Sequence, residues 1–197
     1  MQLFGGATYK LSAHLATLLP TDRGAEVAFA GRSNSGKSSA INAIVGQKRL
    51  ARVSRTPGRT QAINFFSLRP DRSLVDLPGY GYAAVSAVEK RRWEELISAY
   101  ITARRALRGL IVVMDARHAF GPLDRRLLDW TNSVQRSAHV LLNKADKLGL
   151  HERRTVLARA QRAAQGLPEP STLQFFSSKS GEGVDEARAV IARWLAQ

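Results

Sequence analysis

The sequence predicts an α/β fold: a six-stranded, mostly parallel sheet flanked by helices on both faces. Two observations carry it. Short apolar runs bounded by turn residues alternate with longer stretches of helical periodicity, the pattern of repeated strand–helix–strand units. The run Val27-Ala28-Phe29-Ala30, which reads as a buried strand, passes through a Gly/Ser-rich turn into Ser39-Ala40-Ile41-Asn42-Ala43-Ile44-Val45, a helix ending near Gly46. A third observation bounds the size. A chain of 197 residues, 44% of them apolar, suits one domain with a full core, and no internal repeat or low-complexity tract divides it.

Taken in order, strands are expected near 26–30, 62–68, 73–76, 110–115, 138–142 and 173–176. Helices are expected near 37–46, 87–106, 122–134, 149–164 and 183–196. Residues 1–22 read as an N-terminal extension packed on the core, with 9–19 a short helix or strand, and 23–197 as the single domain. The stretch 47–61, broken by Pro57 and Gly58, is the only long loop. Ser86-Ala87-Val88-Glu89 forms a capping box at the start of the second helix, and Gly109 is a C-terminal stop after it. Pro122 suits a first helical turn.

The turn after the first core strand, Gly31-Arg32-Ser33-Asn34-Ser35-Gly36-Lys37-Ser38, fits G-x-x-x-x-G-K-[ST] in the strand–loop–helix setting that this phosphate-binding loop needs. Its glycines let backbone N–H groups curl around an anion, and the helix N-terminus adds partial positive charge. Lys37 can reach β- and γ-phosphates, and the Ser38 hydroxyl can ligate Mg²⁺. The base is named by Asn143-Lys144-Ala145-Asp146, which follows the apolar run Val140-Leu141-Leu142. A carboxylate at Asp146 can accept from both N1–H and the exocyclic amino group of guanine; adenine offers no such donor pair. Asn143 would brace the loop, and the Lys144 stem would lie along the base.

Two weaker pieces fall between. Leu74-Val75-Asp76-Leu77-Pro78-Gly79 is a strand ending in D-x-x-G, where Asp76 would hold Mg²⁺ through water and the Gly79 N–H would sense the γ-phosphate. Thr60, with Thr56 as competitor, is the candidate second protein ligand of Mg²⁺. Ser177-Ser178-Lys179, after Leu173-Gln174-Phe175-Phe176, would stand beside the guanine O6. In order and spacing these pieces resemble those of a P-loop NTPase with a Ras-like G domain, the fold the resemblance implies.

These strings also resemble the EngB family, ribosome-biogenesis GTP-binding proteins of the translation-factor-related class of GTPases. The residues that carry the likeness are the phosphate loop, Thr56-Pro57-Gly58-Arg59-Thr60-Gln61, Ile63-Asn64-Phe65-Phe66, Asp76-Leu77-Pro78-Gly79-Tyr80-Gly81-Tyr82-Ala83 and Asn143-Lys144-Ala145-Asp146. Asn143 departs from the family, where Thr is common. The resemblance implies binding of GTP and GDP along the phosphate loop, Gly58-Arg59-Thr60-Gln61-Ala62, Asp76-Leu77-Pro78-Gly79, Asn143 to Asp146 and Phe176-Ser177-Ser178. It implies catalysis by Lys37, Thr60 and Gly79, with Mg²⁺ on Ser38 and Thr60. Tyr80 stands where Ras-like enzymes carry the Gln that orients the attacking water, so slow turnover is expected. Asn34 stands where some GTPases bind K⁺. The implied role is a switch in large-subunit assembly that binds rRNA and is needed for normal cell division and septation. A division switch with a protein partner, and an RNA-binding module with structural nucleotide, are the alternatives.

Charge supports a polyanionic partner: Lys and Arg total 30 against 16 Asp and Glu, a net +14. Basic clusters occur at Lys48-Arg49 with Arg52 and Arg55, at Lys90-Arg91-Arg92, at Arg104-Arg105 with Arg108, at Arg125-Arg126, and at Arg153-Arg154 with Arg159 and Arg162. No specificity for DNA is expected. No stretch approaches the roughly 20 apolar residues of a membrane span, and no secretory signal is expected, because Met1 to Gly6 offers neither a charged n-region nor an apolar h-region. The absence of cysteine rules out disulfides and thiolate metal sites and fits a reducing cytoplasm. A monomer is expected. Trp93, Trp130 and Trp194 read as packing residues, His14, His118, His139 and His151 show no metal spacing, and Asp115 reads as structural. Tyr80 and Tyr82 are open between partner contact and packing.

Overall fold

The computed structural model describes residues 3–52, 62–81, 87–164 and 171–197. Among them the chain builds a sheet of seven strands with five α-helices. The strands are β1 (Thr8–Ala13), β2 (Ala25–Gly31), β3 (Ile63–Arg69), β4 (Arg72–Asp76), β5 (Leu107–Asp115), β6 (Ala138–Asn143) and β7 (Thr172–Phe175). The helices are α1 (Lys37–Val45), α2 (Ala87–Ala103), α3 (Pro122–Ser133), α4 (Leu150–Ala164) and α5 (Val184–Leu195). The spatial order is β1-β3-β4-β2-β5-β6-β7. β3 runs antiparallel to both β1 and β4, and the remaining neighbours are parallel.

The central strands are almost wholly buried and apolar through their middles because the sheet is covered twice. Along β2, Ala28 and Ala30 join one apolar cluster and Val27 and Phe29 the other. β5 splits the same way, Leu110, Val112 and Met114 against Ile111 and Val113. The first cluster takes its helix side chains from α2, α3 and α4 (Tyr100, Ile101, Leu127, Leu128, Val156, Ala160). The second takes them from α1 and α5 (Ile41, Ile44, Val45, Val190, Ile191, Trp194). The topology therefore delivers the C-terminal ends of β2, β4, β5 and β6 to one edge of the sheet, where ligands of such folds lie.

Three expectations change. The sheet has seven strands, not six: the stretch left open between helix and strand forms β1, which pairs with β3 across a bulge at Tyr9/Leu11, and a 3₁₀ turn at Ala16–Leu18 follows it. Gly109 does not stop α2, which ends at Ala103; it lies inside β5, where an added Cβ would stand 2.7 Å from the Trp194 indole, so glycine admits the ring. Arg104 is no surface cation. Its side chain is 5% exposed and donates to both carboxylate oxygens of equally buried Glu26, at 2.6 and 3.0 Å, and to Pro20 O and Thr21 O. Tyr100 adds a 2.8 Å hydrogen bond to Glu26. His139 is buried in β6 between Thr172 and Gln174. The capping box at Ser86 and most of the loop after Arg52 fall outside the described residues, as does the Trp93 side chain. Trp130 is half-buried and Trp194 fully so, both packed against the core.

Candidate nucleotide-binding site

The phosphate loop turns at two positions of left-handed backbone. β2 ends at Gly31; Asn34 (φ 67°) and Gly36 (φ 91°) then redirect the chain so that α1 begins at Lys37. Gly36 is required twice over, by its φ and because a Cβ there would stand 2.3 Å from Asn143 Nδ2. That near-contact is the joint between two motifs 108 residues apart: the Asn143 amide donates to Ser35 O at 2.9 Å. Lys144 (φ 63°) lays its ammonium across the same loop, donating to Asn34 O at 2.8 Å and to Asp115 Oδ2 at 2.9 Å. Burial alone would raise the Asp115 pKa, but the hydrogen bonds from Arg117 and Lys144 hold it well below the carboxylate range. The residue read as structural thus orients the lysine of the N-K-x-D motif.

Asp146 stands exposed at the far end of this loop and accepts from Ser177 Oγ at 2.6 Å. That hydrogen bond lowers its pKa, so it remains an acceptor at neutral pH. Ser177 is fully buried, and its hydroxyl also accepts from Lys179 N and Ser180 N. Buried Phe176 closes the seam through Ala145 N→Phe176 O (3.1 Å) and Phe176 N→Leu142 O (3.0 Å). Ser178 approaches Asn143 Oδ1 with N and Oγ at 3.4 and 3.3 Å.

At the other end, buried Lys37 donates to buried Asp76, the last residue of β4. Leu77 and Pro78 are buried beyond it, with Leu77 N bonded to Phe29 O at 3.0 Å. Gly79 passes so close to the phosphate loop that a Cβ would lie 3.2 Å from Ser33 N. Tyr80 N→Gly31 O (3.2 Å) and Ser33 N→Tyr80 O (3.0 Å) stitch the two segments together. Ser33 and Ser38 are half-buried, Arg32 and Asn34 exposed. Ala62 is buried beside β3. Thr56, Gly58, Arg59, Thr60 and Gln61 lie outside the described residues.

The structure therefore brings three motifs to one end of the sheet: the phosphate loop, D-x-x-G and N-K-x-D. It also gathers Ser177 and Ser178. One residue was missed in the sequence. Asp124 accepts the Tyr80 hydroxyl at 2.9 Å, and no local signal pairs residues 44 apart. Buried Ser35 Oγ lacks a partner among the described residues.

Comparison with known proteins agrees with this geometry. Residues 26–144 match the family of 50S ribosome-binding GTPases. The chain is 50% identical over 189 residues to a probable GTP-binding protein EngB of Coxiella burnetii, covering 96% of this chain and 92% of that one. The chain belongs to the EngB family of GTP-binding proteins. A crystal structure of another probable EngB superposes with a TM-score of 0.69 at 22% identity, over 87% of this chain and 99% of that one. Era, solved with MgGDPNP and nucleotides 1506–1542 of 16S rRNA, superposes at 0.68 and 19% identity, over 87% of this chain and 57% of its own. Both likenesses extend the P-loop GTPase fold.

Membership of the EngB family makes this chain a GTPase that binds GTP and GDP. The donor set fits them. The cradle at Gly36 excludes any Cβ, and the α1 N-terminus and the Lys37 ammonium supply positive charge for phosphates. Asp76 and Ser38 are hard oxygen donors of the kind Mg²⁺ takes beside phosphate oxygens. Asp146 presents an ionised acceptor for paired N–H groups.

Proposed function

We propose that this GTPase is a switch in assembly of the large ribosomal subunit, acting in the cytoplasm as a monomer, with rRNA as its partner. Normal cell division and septation would depend on it through ribosome supply. The observation that carries the reading is membership of a family of 50S ribosome-binding GTPases. The net charge of +14 supports it, as does Era, a relative in fold that was solved with rRNA bound. Residues 23–197 would form the G domain, with 1–22 as an extension contributing β1.

The chemistry would be positioning and charge. Gly31 to Ser38 would wrap the phosphates with backbone amides. Lys37 would exchange its contact with Asp76 for β- and γ-phosphate oxygens. Mg²⁺, held by Ser38 and Thr60 with Asp76 acting through water, would neutralise developing charge. Gly79 and Thr60 would engage the γ-phosphate, ordering both switch segments in the GTP state and releasing them on hydrolysis. Asn143, Lys144, Asp146, Ser177 and Ser178 would hold guanine. Without a glutamine at Tyr80, intrinsic turnover would be slow, and a K⁺ beside Asn34 would raise it. Equal rates in KCl and NaCl would reject the K⁺ site.

The test is sedimentation of the purified protein with large and small subunits at near-physiological salt, with a non-hydrolysable GTP analogue or GDP. Selective travel with the large subunit in the GTP-analogue state is expected. Equal binding to both particles in both states would reject the assembly switch.

A further inference from the structure

The start of the second switch segment is tied to the N-terminus of α3. Tyr80 follows Gly79, and its backbone makes both hydrogen bonds that fasten this segment to Gly31 and Ser33. Its side chain reaches to Asp124, where the hydroxyl donates to Oδ1 at 2.9 Å. Asp124 is 1% exposed, and its other oxygen accepts Gly121 N at 3.1 Å, capping α3. One buried carboxylate thus holds a helix end and a switch residue together.

Three further observations mark this junction as built. Buried Phe120 adopts φ 63°, a conformation disfavoured for a bulky L-residue, just before the cap; its carbonyl accepts Arg125 Nε at 3.0 Å. Gly81 (φ 81°) passes so close to the first turn of α3 that a Cβ would stand 2.8 Å from Leu123 Cδ1. The Tyr80 phenol is pushed far up, first by burial and then by Asp124, against a smaller opposing influence of Arg32, so it stays a hydrogen-bond donor at neutral pH.

We propose that Asp124 is a positioning residue for GTP: through the Tyr80 hydroxyl it holds Gly79 against the phosphate loop, so that the N-terminus of α3 is part of the γ-phosphate sensor. This rests on the reading of Gly79 as the γ-phosphate contact. GDP has no γ-phosphate to meet Gly79, so the tie is coupled to GTP alone. A nucleotide-dependent change at Gly79 would in turn pull on α3, whose outer face carries the exposed pair Arg125 and Arg126.

The experiment compares wild type, Tyr80→Phe, Asp124→Asn, the double variant and Gly79→Ala. For each, affinity is measured for GDP and for a non-hydrolysable GTP analogue, alongside urea unfolding. Tyr80→Phe removes one hydroxyl and leaves the ring, so it keeps the fold testable where loss of the Asp124 cap does not. It is expected to lower the GTP-analogue:GDP affinity ratio about tenfold with GDP affinity unchanged. Asp124→Asn should lose less, because one amide oxygen still accepts one of the two donors. The double variant should be no worse than Tyr80→Phe. Equal loss for both nucleotides, or no loss, alongside selective loss in Gly79→Ala, overturns the positioning role and leaves the Gly79 reading standing. An unchanged ratio in Gly79→Ala overturns that reading and the positioning role with it.

Discussion

Replacing Asn143 with alanine tests the joint between the phosphate loop and the guanine loop. Asn143 is 2% exposed, and its amide supplies the 2.9 Å hydrogen bond to Ser35 O. Its contacts with Ser178, at 3.3 and 3.4 Å, are long and add little. The dominant loss is therefore one buried carbonyl left without its donor, worth about 1–3 kcal/mol. Ser35 immediately precedes Gly36, the cap of α1, so the loosened carbonyl lies in the loop proposed to cradle both diphosphate and triphosphate. At 1.4 kcal/mol per factor of ten, GDP and GTP-analogue affinity should both fall, roughly 5- to 150-fold. Urea unfolding of the ligand-free protein should report a loss of the same order. The assay is titration of fluorescent GDP and analogue against the variant, with the urea midpoint measured in parallel. Affinities within about threefold of wild type, with stability unchanged, would refute the bracing role. A loss confined to the triphosphate would show that the joint acts elsewhere than in the shared cradle.

Asp146→Asn should move preference from guanine to xanthine nucleotides, with GTP affinity falling by about a hundredfold or more in direct competition; wild-type protein that binds ATP as tightly as GTP would reject the guanine assignment. Arg104→Met leaves the buried Glu26 carboxylate without its cation and should cost about 3–5 kcal/mol in urea unfolding, part of it recovered by adding Glu26→Gln. A loss under about 1 kcal/mol would refute a stabilising role for the pair. Burial holds the His139 pKa below its ordinary 6.5. The unfolded chain then takes up the proton first, so the contribution of neutral His139 is full above pH 6.5 and is lost as pH falls from there to the folded pKa. His139→Gln should flatten the fall in urea midpoint between about pH 7 and pH 5; an unchanged slope would refute this.

What was legible in the sequence is what local chemistry decides. The proposed phosphate loop would work through contiguous backbone amides, glycine torsions and one lysine, so eight consecutive residues announce it. The five helices and six strands of the G domain follow from apolar periodicity and end within a few residues of their expected bounds, the main exceptions being the start of β5 and the end of α2. The stretch 9–19 does not declare its type in sequence because β1 is a half-exposed edge strand with weak alternation, and its partner β3 lies about fifty residues away.

Other features depend on partners that no window of sequence contains. Gly109 looks like punctuation until the Trp194 ring from α5 arrives over it. Arg104 looks like part of a basic surface until Glu26, 78 residues earlier, meets it in a buried site. Tyr80 reads equally as a partner contact or a packing residue until Asp124 supplies its acceptor. By itself, the sequence determined the ligand class, through motifs whose chemistry is local, and the order of strands and helices. Only the tertiary structure decided which charges are buried, which glycines make room for a neighbour and which residues join one motif to another. The physical reason is that burial and hydrogen-bond satisfaction are properties of pairs of distant segments, fixed only when the sheet and its two helical layers close around them.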